Sequence, residues 1–326
     1  MFPRLKKMSE NPIHRSGFVS IVGRPNAGKS TLLNALVGDK LAIVSDKPQT
    51  TRLAVQGVLT LPDAQIVFLD TPGIHSAPTL LNKRMMEAVR GSLTERDLIL
   101  FVADGSSPLS DDDRHSLDMI RNVGAPVVLL LNKIDNLEDK SELMPRLVEY
   151  QGARDFAELI PISALTGDGL ERVREAILKR LPEGPAYFPE DYITDQPERY
   201  LAAEMIREKI LQETRQEVPH AVAVIVDKWE DAKRLVRIAA TIYVERAGQK
   251  AIIIGAKGAM LKKIATNARL EMETLFARKI FLEVFVKVRA DWRDSAEFLN
   301  AADWHSIFPS DAGAGDEAQD EPLRLE

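Results

Sequence analysis

Across residues 17–181 short apolar runs alternate with longer amphipathic stretches. Residues 18–22 read as a strand, a loop follows, and a helix is expected over residues 29–37. Residues 52–61 and 65–69 form a strand pair that turns near Pro62-Asp63. Residues 98–103, 126–131 and 158–162 are three further apolar runs, the last preceding a helix over 169–181. Nearly continuous apolar strands separated by helices predict a mostly parallel sheet covered on both faces. The expected fold is therefore a doubly wound α/β domain.

Residues 182–197 contain four prolines, interrupt this rhythm and read as a linker. A helix over 197–217 follows, with Tyr200, Leu201, Met205, Ile206 and Ile210 on one face. Two β-rich runs, 221–229 and 235–244, come next, and residues 251–254 read as an apolar strand. A helix over 259–276 and a strand over 280–289 complete an α+β unit. The expected organisation is a flexible leader (1–16), an α/β domain (17–181), a linker (182–197), an α+β domain (198–294) and an acidic, disordered tail (295–326). The basic start at Arg4, Lys6 and Lys7 meets polar Ser9-Glu10-Asn11 where a signal peptide needs an apolar core. No run approaches eighteen apolar residues, so a cytoplasmic location without a spanning helix is expected.

The 326 residues include no cysteine, which removes disulfides, thiolate metal sites and cysteine nucleophiles. A net charge of −6, taken alone, disfavours nucleic acid, but the balance is uneven. Residues 1–197 carry 23 Lys and Arg against 27 Asp and Glu, residues 198–293 carry 19 against 13, and residues 294–326 carry 1 against 9. Phosphate attraction is local at physiological salt, so the basic second domain is the region that can hold nucleic acid.

Gly23-Arg24-Pro25-Asn26-Ala27-Gly28-Lys29-Ser30 has the phosphate-loop spacing, placed between a strand and a helix. Backbone N–H groups of such a loop and the helix N-terminus present fixed positive dipoles to phosphate oxygens. Lys29 would neutralise the β- and γ-phosphates, Ser30 would ligate Mg²⁺, and Thr31 follows in the same helix turn. Asp70-Thr71-Pro72-Gly73 closes the strand over 65–69. There Asp70 can hold the magnesium ion and Gly73 can offer its N–H to the γ-phosphate.

Asn132-Lys133-Ile134-Asp135 follows the strand over 126–131. A carboxylate at Asp135 accepts from the N1–H and 2-amino groups of guanine. Adenine has neither donor and would leave that carboxylate unpaired. Asn132 can tie the base edge to the phosphate loop, and the Lys133 stem can lie over the base. Ser163-Ala164-Leu165, after the strand over 158–162, can supply an N–H to the guanine carbonyl. This ordered set resembles the Ras-like GTPases. The resemblance implies a threonine between the phosphate loop and Asp70. Thr50-Thr51 lies there; either hydroxyl can reach Mg²⁺, and Thr51 is taken as the ligand. It also implies a water-orienting glutamine after Gly73, where this chain has Ile74, so slow hydrolysis is expected. The neighbouring His75 is a weak candidate for that role.

Gly255-Ala256-Lys257-Gly258, with Lys262 and Lys263 beyond it, fits two helices meeting at a glycine turn. That turn can grip a nucleic-acid backbone while bases lie on an apolar groove, the logic of a KH domain. The prokaryotic, type II order fits if a short helix lies between Trp229 and Ile238. Arg289 and Arg293 are candidates for additional phosphate contacts.

From Gly17 to Asp294 the chain resembles the bacterial Era GTPases of the TrmE-Era-EngA-YihA-Septin-like group. The resemblance rests on the phosphate loop, the Thr-Thr-Arg loop, the three strand-end motifs and the Gly-x-x-Gly unit ending in Asp291-Trp292-Arg293-Asp294. It implies a P-loop GTPase domain followed by a type II KH domain. It further implies a monomer with GTP/GDP and Mg²⁺ as ligands and slow GTP hydrolysis coupled to maturation of the small ribosomal subunit. RNA near the 3′ end of the small-subunit ribosomal RNA is the implied partner, and peripheral association with the inner membrane face is part of the family picture. Asn26 is implied to help coordinate K⁺ beside the phosphates. The resemblance does not cover residues 298–326. Two other readings remain: an RNA-binding placeholder whose turnover matters little, and a tRNA-modification or tandem-GTPase relative. The single phosphate loop and the Gly-x-x-Gly unit speak against the second.

Overall fold

Apolar runs without a polar face become inner strands. The computed structural model describes residues 14–47, 49–73, 79–215, 218–232 and 235–303. The first domain runs β1 (Arg15–Val22), α1 (Lys29–Val37), β2 (Val55–Leu61), β3 (Ala64–Asp70), α2 (Leu80–Ser92), β4 (Leu98–Asp104), α3 (Asp111–Met119), β5 (Val127–Asn132), α4 (Leu143–Ala153), β6 (Glu158–Pro161) and α5 (Leu170–Leu178). Its sheet has the order β2-β3-β1-β4-β5-β6, and only β2 is antiparallel to its neighbour. Every residue of β4 and β5 is buried. Leu98, Leu100 and Val102 share a core with Leu32, Leu36 and Ile177 of α1 and α5. Ile99, Phe101 and Ala103 point the other way, toward Val89, Leu117 and Tyr150 of α2, α3 and α4. A strand buried on both faces has no polar position to give up, which is why alternation is absent from its sequence. The carboxyl ends of β1, β3, β4 and β5 meet along one edge, where the connections reverse direction and ligands bind in such sheets.

The proline-rich segment is a fixed strap along this domain. Buried Gln65 accepts at Oε1 from the N–H groups of Tyr187 (2.7 Å) and Phe188 (2.9 Å) and donates to the Phe188 carbonyl (2.9 Å). Val58 of edge strand β2 donates to the Ile193 carbonyl at 2.8 Å, so the strap covers part of that edge. The expected leader also ends earlier than residue 16. Arg15 and Ser16 already belong to β1, and His14 bonds the Gly184 carbonyl at 2.8 Å. Residues 1–13 lie outside the described part.

The second domain runs α6 (Glu198–Glu213), β7 (Ala223–Ala232), β8 (Leu235–Val244), α7 (Ala247–Ile254), α8 (Ala259–Leu275), β9 (Lys279–Val288) and α9 (Ala296–Ala302). β8 pairs antiparallel with β7 and parallel with β9, and α6 and α8 pack on one face of the three strands. Three expectations change here. Residues 251–254 are helical, not a strand. Gln249 Oε1 accepts the Glu245 and Arg246 N–H groups at 3.0 Å each and starts α7, and Ile253 is its buried anchor. Three successive isoleucines have high strand propensity, and one core contact with a cap outweighs it. The helix expected between Trp229 and Ile238 is absent among the described residues there, because Lys228 to Ala232 pair with Ala239 to Leu235 as a hairpin. The expected disordered tail begins with α9, which lies against α2: Arg84 donates to Asn300 Oδ1 at 2.7 Å, and Asp294 accepts from the Leu80 N–H at 2.8 Å. Residues 304–326 lie outside the described part.

The domains meet around Trp292, which is 1% exposed and packs with Leu81, Met85, Ala223, Phe298 and Leu299. Its indole N–H donates to the Ala221 carbonyl at 3.0 Å, and the Arg52 guanidinium sits 5.4 Å from its ring centroid. Replacing Trp292 by Ala removes this packing and orphans the carbonyl. A destabilisation of about 3–5 kcal/mol is expected in urea unfolding, with Trp292→Phe costing less. A loss below about 1 kcal/mol for the alanine variant would show that the cluster is not structural.

Candidate functional site

The loop between β1 and α1 turns back over the sheet edge through Asn26 (φ 61°) and Gly28 (φ 97°). A Cβ at Gly28 would lie 2.2 Å from Asn132 Nδ2, so only glycine lets the two loops approach. Lys29 opens α1 yet is 5% exposed, its ammonium donating to the Gly23 and Arg24 carbonyls at 3.0 Å each. Burial pulls its pKa down to about 8 against the pull of Asp70, and Arg24 adds to the lowering. Among the described residues the cleft here has a volume of about 400 Å³ and runs past Asn26, Ser30, Thr31, Thr51, Gly73 and Lys133.

Three oxygens converge beside Lys29. Ser30 Oγ donates to Asp70 Oδ2 at 2.6 Å and lies 2.8 Å from Thr51 Oγ1, which donates to the same carboxylate oxygen at 3.3 Å. Asp70 is 0% exposed, and its Oδ1 is buried without a hydrogen-bond partner. Burial pushes the carboxyl up to about 6, opposed by Lys29, Ser30 and Thr51. Two hydroxyls and an under-satisfied buried carboxylate are hard oxygen donors, the set that suits Mg²⁺. Of the two candidate threonines only Thr51 enters this cluster, whereas the Thr50 hydroxyl donates to the Lys47 carbonyl at 2.6 Å. Gly73 packs on Pro25 of the phosphate loop, where a Cβ would come within 2.8 Å of the Pro25 backbone. Ile74 and His75 lie outside the described residues.

Asn132 ends β5 and joins the two halves of the cleft. Its Nδ2 donates to the Ala27 carbonyl at 2.8 Å, and its Oδ1 accepts the Ala164 N–H at 2.9 Å. The Ala164 N–H is therefore engaged by Asn132, within the Ser163-Ala164-Leu165 turn expected to offer an N–H to the base. Ser163 Oγ accepts the Thr166 N–H at 3.1 Å and shapes that turn. Lys133 stands at φ 65° and pairs with Asp104 Oδ2 at 2.7 Å, while Asp135 is exposed in the short turn that follows. Sequence reasoning missed Asp104 and Arg24. Arg24 reaches Asp104 (3.5 Å) and fully buried Asp113 (3.3 Å) and so ties the phosphate loop to the base loop. Burial pushes the Asp104 carboxyl up, but Lys133 and Ser106 together hold it below the usual range. A carboxylate closing the wholly apolar run of β4 was the available signal.

In the second domain α7 ends at Gly255 (φ 69°), Lys257 stands at φ 50°, and Gly258 starts α8. A Cβ at Gly255 would lie 2.6 Å from Met260 Cβ, so the chain can bend there only as glycine. Ala256, Lys257, Lys262 and Lys263 are exposed on this turn and the first turns of α8; Lys263 pairs with Glu213 at 2.6 Å. Arg293, a candidate for a phosphate contact, pairs with Glu245 (2.6 Å). Arg289 lies over the Phe298 ring and pairs with Glu297 (3.6 Å). Among the described residues no helix is long and apolar enough to cross a membrane.

Comparison with known proteins agrees with this two-part site. A family profile described as 50S ribosome-binding GTPase matches residues 18–133, and a KH domain profile matches residues 217–293. The GTPase Era of Geobacter metallireducens is 52% identical over 294 residues, covering 90% of this chain and 98% of that protein. That of Syntrophus aciditrophicus is 50% identical over 287 residues, covering 87% and 94%. Two solved structures are similar at 42% identity each. A single-substitution variant of Aquifex aeolicus Era bound to GDP·AlF₄⁻ has a TM-score of 0.85 and covers 88% of this chain and 98% of that one. Era with MgGDPNP and nucleotides 1506–1542 of 16S ribosomal RNA has a TM-score of 0.86 and covers 89% and 98%. With a P-loop GTPase domain, a C-terminal KH domain and half its residues shared with these relatives along nearly their whole length, the chain belongs to the Era family of GTPases.

Proposed function

We propose that this protein binds GTP with Mg²⁺, hydrolyses it slowly, and in its GTP state holds the 3′ end of the small-subunit ribosomal RNA during assembly of that subunit. The observation that carries the reading is the cluster of Ser30, Thr51 and Asp70 oxygens beside buried Lys29, on the same chain as the Gly255–Gly258 clamp. The relative solved with MgGDPNP and 16S ribosomal RNA supports both ligands.

In this reading Lys29 neutralises the β- and γ-phosphates, and Gly23, Ala27 and Gly28 contribute the loop that encloses them. Ser30, Thr51 and Asp70 hold Mg²⁺, which offsets negative charge on the phosphates. Water attacks the γ-phosphorus as the bond to the β–γ bridging oxygen breaks, giving GDP and phosphate. Gly73, which lines the cleft, would offer its N–H to the γ-phosphate, a contact that loss of that phosphate on hydrolysis would remove. Asp135 reads the base, Lys133 covers its face, and Ser163-Ala164 close the far side through Asn132. Lys257, Lys262 and Lys263 hold RNA phosphates around the turn at Ala256. The protein acts as a cytoplasmic monomer, with peripheral association at the inner membrane face.

Guanine selection rests on the Asp135 carboxylate. Asp135→Asn removes an acceptor for N1–H and supplies a donor for a 2-oxo group. GTP affinity is expected to fall about 100-fold or more and XTP affinity to rise; unchanged GTP binding would remove Asp135 from this role.

Asn26 Nδ2 donates to the Asp46 carbonyl at 2.7 Å, which sets two oxygen-bearing groups together at the edge of the phosphate loop. A K⁺ ion held there would add positive charge beside the phosphates, in a chain whose Ile74 side chain, at the sequence position of the water-orienting glutamine, has no hydrogen-bonding group. Turnover is expected to be several-fold faster in potassium than in sodium buffer, and Asn26→Ala should erase the difference; equal rates for the unaltered protein would exclude the ion.

The decisive test is crosslinking in a cell lysate followed by RNA sequencing, with purified protein added after loading with a non-hydrolysable GTP analogue or with GDP. Recovery of the 3′ end of small-subunit ribosomal RNA in the GTP state is expected. Replacing Lys257, Lys262 and Lys263 by Ala should weaken binding and reduce the salt slope by up to about 3. Absence of ribosomal RNA in the GTP state would refute the assembly role.

A further inference from the structure

The loop that presents Thr51 runs from the end of α1 to the start of β2 and is neither helix nor strand in its described residues. Asn34 of α1 holds its Leu41 and Ala42 and Asn26 its Asp46, but residues 43, 44, 49 and 50 are held by the other domain. Ile43 is buried in the core formed by α6, α8 and the second sheet. The Val44 N–H donates to Glu208 Oε1 at 2.8 Å, and Lys40 bridges Glu208 of α6 (2.6 Å) and Glu271 of α8. Arg52 donates to the Val222 carbonyl at 2.7 Å. At the centre stands Arg207 of α6, 1% exposed, whose guanidinium donates to the Thr50 carbonyl and to the Gln49 carbonyl (3.4 Å). Glu204 neutralises it from the opposite edge, with bonds of 2.7 and 2.5 Å.

This arrangement has a directional consequence. The peptide joining Thr50 to Thr51 is planar, so fixing its carbonyl fixes the side from which Thr51 leaves. Gln49 stands at φ 62°, a left-handed conformation that a glutamine keeps only when its surroundings hold it. Two successive carbonyls are gripped by one planar fork, which a lysine cannot reproduce. Lengthening the loop's reach by a small amount would take Thr51 Oγ1 off Asp70, since that bond is already 3.3 Å.

We infer that Arg207, a residue of the RNA-binding domain, is a positioning residue for the GTPase reaction: by holding the Thr50 carbonyl it places the Thr51 hydroxyl on the magnesium site. The inference rests on the reading of Thr51 as a Mg²⁺ ligand and adds that the second domain completes that site. Arg207 touches neither nucleotide nor cation; it acts through one peptide.

The test uses the full chain and measures the Mg²⁺ concentration for half-maximal binding of a non-hydrolysable GTP analogue, together with hydrogen exchange of residues 44–51 in Mg²⁺-free, nucleotide-free protein. Arg207→Lys is expected to raise the Mg²⁺ half-point about tenfold and to speed exchange at residues 49–51, with the strands of the first sheet exchanging as in the unaltered protein. Should that variant fold poorly, Glu204→Gln combined with Arg207→Met removes both members of the buried pair together and is expected to give the same shift. Thr51→Ala should raise the half-point by itself, and adding Arg207→Lys to it should change the value less than twofold. If Thr51→Ala leaves the half-point unchanged, Thr51 is not the ligand and the inference falls with that reading. If Thr51→Ala shifts it while a folded Arg207 variant does not, or if the two effects multiply, the reading of Thr51 stands and the role of Arg207 is overturned.

Discussion

A carboxylate at the buried end of a central strand needs compensation, and the site is organised around that need. Asp70 has no exposed surface, one oxygen shared by two hydroxyls and the other without a partner. An unpaired buried charge is costly, which is why its pKa is pushed up to about 6 even with the Lys29 ammonium near it. Lys29 carries the complementary strain: buried by the loop it serves, it is pulled down to about 8. Burial thus works against the charged form of both groups, and each lies within reach of the other's field. The sheet holds Asp70 rigidly at the end of β3, and Ser30 sits in the first turn of α1. The threonine is the one member of the cluster carried by an irregular loop.

That difference in rigidity decides where the second domain can act. The end of β3 and the start of α1, which carry Asp70 and Ser30, are held by the sheet and helix of the first domain. The Thr51 loop contributes Ile43 to a foreign core, and its Val44 N–H and Thr50 carbonyl are bonded by α6. The position of Thr51 is therefore tied to the second domain more directly than those of Ser30 and Asp70. The same physical link runs in reverse, because coupling between two sites is reciprocal. Trp292 and α9 add a second junction on α2, the first helix after Gly73. The Thr51 loop and α2 thus each meet a separate face of the KH domain, and Arg52 stacked on Trp292 joins the two faces.

How much of this was legible along the chain varies with the range of the interactions involved. The strand-end motifs were readable because each is a few consecutive residues whose chemistry follows from spacing: Gly28-Lys29-Ser30, Asp70 to Gly73, Asn132 to Asp135. Thr51 against Thr50 was not decided by spacing, since both hydroxyls are one residue apart on a loop of unknown course. Three isoleucines before Gly255 pointed to a strand by local propensity, and burial of Ile253 with the cap at Gln249 made a helix instead. Residues 295–302 looked like the start of a charged tail, yet Phe298 and Leu299 find an apolar surface on Trp292. Arg24, Asp104 and Asp113 carry no motif at all, and they became a network only when three separate strand and helix ends met.

The sequence by itself determined the two domains, the order of the motifs, the guanine-selective chemistry and the basic character of the second domain. These follow from local periodicity, short spacings and regional charge, which survive without knowledge of the fold. Only the tertiary structure decided which threonine completes the oxygen cluster, that the Ala164 N–H is used by Asn132, and that Arg207 and Glu208 of one domain hold a loop of the other. The contacts between the domains join residues more than a hundred positions apart, and a buried arginine in a helix reads in sequence like any solvated one until its partner carbonyls are folded against it.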